Sequence, residues 1–161
     1  MTESLVRQAL QDSVTEVLEK MFFVETLGEC ADPAEEPPAD EIAAGLTFQG
    51  EPPGALLLRL TSPAARQISA DFLGIDEAEV SNGQTSEVVR ELANMICGSV
   101  LSRVEGAAAF HLAAPQIVPP SEEIARNLSN IRYCVRLSNG RLTVNLGTGI
   151  PICPQPTQSA Y

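Results

Sequence analysis

The chain has 161 residues, enough for one domain built around a single core. Ten Lys and Arg stand against 21 Asp and Glu, a formal charge of −11, which argues against binding to nucleic acid or an anionic membrane through phosphate neutralisation. Hydrophobic residues make up 44% with aromatics at 4% and no Trp, too apolar for disorder, so aliphatic side chains must build the core.

From Ser4 to Val24 apolar residues recur at Leu5, Ala9, Val14, Val17, Leu18 and Met21, the spacing of a long helix with one buried stripe. The stretch 29–40 carries Pro33, Pro37 and Pro38 among Asp32, Glu35 and Glu36 and reads as a solvated acidic loop. Ile42–Phe48 and Ala55–Leu60 flank Gly50, Pro52, Pro53 and Gly54, the composition of a first hairpin. Ser62 and Pro63 open a short helix that Gly74 stops. A second long helix is predicted from Thr85 or Ser86 to Val104, closed by Gly106. Phe110–Val118, Ile131–Leu137 and Arg141–Leu146 read as strands, with Asn139-Gly140 in a tight turn between the last two. The tail from Gly147 is expected to be loose or extended. Helix, strand pair and helix, followed again by long helix and strands, suggest duplicated halves. The sum is an α+β fold in one domain, 1–161, with a largely antiparallel sheet packed by two long helices and one short one.

No run is long enough to span a bilayer, and the N-terminus lacks the order of a secretory signal, so a reducing cytoplasm is expected. Cys30, Cys97, Cys134 and Cys153 show no C-x-x-C spacing. With His111 the only histidine, they read as small thiols without a metal, and His111 as an ordinary surface or packed imidazole. Nucleophile-elbow, phosphate-loop and dinucleotide patterns are missing.

The informative stretch is Ser86 to Gly98. Val89, Leu92, Ala93, Ile96 and Val100 point one way at helical pitch, while Glu87, Glu91, Asn94 and Gly98 gather on the other side. Glu91 and Asn94, three apart, are neighbours in space and can act on one ligand. Asn is a poor helix-interior residue, which invites a reason for its place, although a solvated polar face would look the same.

Glu91-x-x-Asn94, the following Met95-Ile96-Cys97-Gly98 and Pro115 on the next strand resemble the signature of the CheC/CheX/FliY family of chemotaxis phosphatases. The resemblance extends over Glu16 to Phe22, Gly54 to Leu60, Ala65 to Gly74 and Phe110 to Pro115. The single Glu/Asn pair is most similar to the CheX branch, because Glu16 is followed by Glu19 where a second site would want Asn. Two details differ: Glu87 stands where the family tends to have Asp or Ser, and Asn94 lies closer to Pro115 than the family pattern.

The resemblance implies a cytoplasmic homodimer that removes the phosphoryl group from the aspartate of a CheY-like receiver domain. Asn94 would orient the attacking water and Glu91 would pair with the receiver's lysine. Glu87, Gly98 and Pro115 would contact the partner, and Mg²⁺ would be supplied by the receiver's own active site. The alternative is a receiver-binding or scaffold module without turnover.

Overall fold

Strand alternation organises the chain around one six-stranded antiparallel sheet. The structure, a computed structural model, describes residues 3–30, 40–50, 53–105, 110–119 and 131–148. The strands are β1 (Glu41–Gln49), β2 (Gly54–Thr61), β3 (His111–Leu112), β4 (Gln116–Val118), β5 (Ile131–Leu137) and β6 (Gly140–Thr148). They follow the order β3-β1-β2-β6-β5, with β4 also paired to β1. Every second residue points to the helices: Leu46 and Phe48, Leu56, Leu58 and Leu60, Val135 and Leu137, Leu142, Val144 and Leu146 all enter one core. On the reverse face Ala43 and Leu57 pack with Val118, and Arg59 meets Glu41 at 3.6 Å. Both faces of β2 are therefore buried, which is why its sequence reads as a nearly unbroken apolar run.

The helices are α1 (Glu3–Glu16), α2 (Ser62–Leu73) and α3 (Asn82–Glu105). Pro63 enters the first turn of α2, and Gly74 in the left-handed region closes it by donating its N–H to the Ala70 carbonyl at 2.8 Å. Helix α3 starts three residues ahead of the expected Thr85. Ser81 Oγ accepts the Gln84 N–H at 3.1 Å, and Gln84 Oε1 accepts the Ser81 N–H at 2.9 Å, a reciprocal cap that the S-x-x-Q spacing could have revealed.

Several expectations need correction. The first helix does not run evenly to Val24: α1 passes into a π-helical turn at Val17–Met21 and stops at Phe22. The Val24 N–H closes it on the Leu18 carbonyl at 2.8 Å, one residue wider than the usual six-residue Schellman closure because the π turn carries an extra residue. Phe23 follows at φ 58°, the one described non-glycine residue with positive φ.

The predicted strand Phe110–Val118 is split into β3 and β4. Leu112 stands opposite Phe48 and Gln116 opposite Gly45, so three residues ending at Pro115 face two on β1. This is a β-bulge, which accommodates a proline that has no N–H to give. The tight turn also differs. Leu137 pairs with Gly140, leaving Ser138 and Asn139 as its central residues, and a Cβ at Gly140 would run into Thr61 Oγ1.

Gly147 and Thr148, assigned to the tail, belong to β6 and pair with Ala55 and Gly54. The rest of that tail, Gly106, Cys153 and residues 31–39 of the acidic loop lie outside the described residues. Glu29 and Cys30, placed in that loop, instead line the outer edge of β5: the Leu27 and Cys30 N–H groups donate to the Arg136 and Cys134 carbonyls, and Arg136 N–H to Gly28. Cys30 and Cys134 form a disulfide across this contact. They are not the separate thiols expected, because the fold closes a 104-residue separation that no spacing rule signals.

Candidate functional site

Helix α3 carries the site, and its burial follows from its sequence. Val88, Val89, Leu92, Ala93, Ile96, Cys97 and Val100 are buried, whereas Glu87 and Glu91 are exposed and Asn94 and Gly98 half-buried. At about 100° per residue the last four fall within an arc of roughly 60°. The expected ridge is therefore present. Among the described residues, the side chains of Glu87, Glu91 and Asn94 make no hydrogen bond or ion pair. The Asn94 amide keeps its donors and its acceptor for an incoming group, and the Glu91 carboxylate stays available to a cation.

The ridge rests on a fixed support. Helix α3 packs across β1, α1 and α2. Ser99 Oγ lies 2.9 Å from Ser13 Oγ, and the Arg103 guanidinium donates to Glu16 Oε2 at 2.7 Å. Glu16 is thereby engaged, and Glu19 lies in the π turn, so this part of the first helix does not reproduce the Glu/Asn pairing of α3. Pro115 sits at the bulge between β3 and β4, on the sheet edge that α3 reaches through β1 and β4. It is not on the ridge itself.

The other chemistry-bearing residues stand apart. Cys97 is sealed beneath α3, and burial pushes its thiol up from 9.0 to about 12, which removes it as a nucleophile. His111 is exposed on β3, opposite Gln49. Among the described residues no group of three or more His, Cys, Asp or Glu could hold a metal ion, and no helix is long and apolar enough to cross a membrane.

This fold is that of the CheC/CheX-like chemotaxis proteins. The profile described as "Chemotaxis phosphatase CheX" matches residues 42–137, and the chain belongs to the CheX family. It is similar to the chemotaxis protein CheX of Vibrio vulnificus, with TM-score 0.70 and 16% identity over 89% of this chain and 95% of that one. It is also similar to CheX in a CheX–CheY–BeF3–Mg²⁺ complex from Borrelia burgdorferi, with TM-score 0.66 and 15% identity over 88% and 96%. Thermotoga maritima FliY aligns at TM-score 0.58 and 11% identity over 92% and 91%. No curated protein matches the sequence.

Proposed function

We propose that this chain dephosphorylates the aspartyl phosphate of a CheY-like receiver domain, with Asn94 and Glu91 as the acting residues. The observation that carries this reading is the pair itself: two neighbouring polar side chains turned outward without internal partners, on a helix whose opposite side is sealed. The occurrence of CheX with CheY in the Borrelia complex supports the partner class.

The chemistry asks little of the phosphatase. An acyl phosphate is already reactive, and the receiver supplies its own Mg²⁺, so the remaining task is to place a water in line with the scissile P–O bond. The Asn94 carboxamide can accept from that water through its oxygen while its NH₂ faces the phosphoryl oxygens. Glu91, one helical turn away, pairs with the receiver's lysine and fixes the docking angle. Glu87 and Gly98 extend the contact along the ridge, and Pro115 joins it as the family resemblance implies. Neither acting group has to change protonation state.

The test is a time course of phosphate release from a phosphorylated receiver. Asn94→Ala lowers stimulated release about a hundredfold or more, as loss of water positioning requires. Glu91→Ala acts mainly on the receiver concentration needed, and circular dichroism of both variants stays that of the wild type because neither side chain supports the fold. Unchanged release with Asn94→Ala refutes the assignment. Phosphorylation-dependent binding by the wild type with no change in phosphate lifetime identifies a binding module instead.

A further inference from the structure

A second surface, built from elements that carry none of the ridge residues, lies where the first helix exits against α2 and the β5–β6 turn. Phe23 and Leu27 form one wall of a groove whose floor is Ile68 and Leu137; among the described residues its charged lining groups are the carboxylates Glu25 and Asp71, and the Arg136 guanidinium stands outside the lining, donating to the Leu27 carbonyl at 3.3 Å. Phe23 is 75% exposed and Leu27 49% exposed. Phe72 extends the apolar surface, 41% exposed and stacked on Phe22 at a centroid distance of 4.6 Å.

Folding alone does not account for Phe23. It sits just past the end of a helix at φ 58°, where glycine or asparagine is the low-strain choice, and it holds a large ring in solvent. Both features work against stability and both present the ring outward. The groove's volume, about 200 Å³, is below the roughly 300–1,000 Å³ of small-molecule sites and suits one anchoring side chain.

We propose that this groove docks a basic amphipathic segment of a partner protein, which seats an aliphatic or aromatic residue against Phe23 and Leu27 and sets Lys or Arg beside Glu25 and Asp71. A second copy of this chain fits poorly, because it would bring the same carboxylates and a further charge of −11 to the contact.

The probe is a synthetic amphipathic Leu/Lys helical peptide, with a Leu/Glu peptide of the same apolar face as control, titrated into the full chain and followed by amide NMR shifts. Shifts centred on 23–28 and 67–71 are expected from the Leu/Lys peptide, and no binding from the control. Phe23→Gly keeps the charge, relieves the backbone and raises the melting temperature, yet weakens binding at least about tenfold, the scale set by burying one aromatic ring. Asp71→Asn weakens it by about threefold and flattens its salt dependence. Equal binding by Phe23→Gly overturns the proposal, as do shifts confined to other surfaces. Self-association without peptide that Phe23→Gly abolishes also overturns it, because a second copy then fills the groove.

Discussion

Cys97 follows Asn94 by three residues, so the two share a flank of α3, one half-buried and the other sealed. Burial raises the Cys97 thiol to about 12, and it raises the Tyr133 phenol as well, with Glu29 adding to that rise and a Thr15 hydrogen bond opposing it. Both groups are acids whose folded pKa exceeds the unfolded one. The Cys97 contribution is present in full below pH 9 and is lost as pH climbs from about 9 towards 12, and that of Tyr133 is lost as pH climbs above its ordinary value of 10.0. Thermal melts between pH 8 and 11 should show a falling melting temperature, with a shallower slope in Cys97→Ala. The native thiol should resist iodoacetamide at pH 8 and react once the chain is unfolded. At Phe23 the relevant cost is backbone conformation. Glycine there should add about 1 kcal/mol, or roughly 2–4 °C in melting temperature for a chain of this size.

At the level of single elements, α3 combines a stabilising device with a destabilising one. Its Ser81–Gln84 cap secures the first turn, whereas Gly98 interrupts its middle. A Cβ at Gly98 would meet nothing within 4 Å, so the fold itself does not ask for glycine, and Gly98→Ala should stabilise the helix by about 0.5–1 kcal/mol. If the receiver packs against the bare backbone one turn from Asn94, the same substitution lowers receiver affinity and dephosphorylation. A higher melting temperature with unchanged turnover separates Gly98 from the contact.

Elements delimited by local chemistry were legible in the sequence. Pro63 and Gly74 bracket α2, and the 3.6-residue spacing from Val89 to Val100 both located α3 and separated its ridge from its core. The Ser81–Gln84 cap that opens α3 is local too and was readable from its S-x-x-Q spacing, whereas the other departures were set by partners distant in the chain or by one-residue adjustments. The π turn shifts the helix exit by a single position, and the bulge at Pro115 exists only against β1. The strand-like pairing of 27–30 depends on β5, more than a hundred residues away. Spacing put Glu91 and Asn94 side by side on one helix face and the family resemblance singled them out, but their lack of internal partners appears only once every neighbouring side chain is in place.

Across the whole molecule, the two lateral edges of the sheet are treated differently. Residues 27–30 line the β5 edge, while β3 and β4 form the opposite edge, with Ile117 40% exposed there. If the chain pairs as the family resemblance implies, that open edge can continue the sheet across a two-fold axis. Light scattering should give twice the chain mass, and Ile117→Lys, a charge on an edge strand, should give one.

The Cys30–Cys134 bond adds a topological consequence. It closes a covalent ring that holds β1, β2, α2, α3, β3 and β4, while α1 and β6 lie outside it and are retained by packing and backbone pairing. A protease nick in any connection inside the ring therefore leaves a single molecule that separates into fragments only when a thiol reductant is added. A cut between β5 and β6 spares no such link and frees β6 as soon as the sheet is denatured.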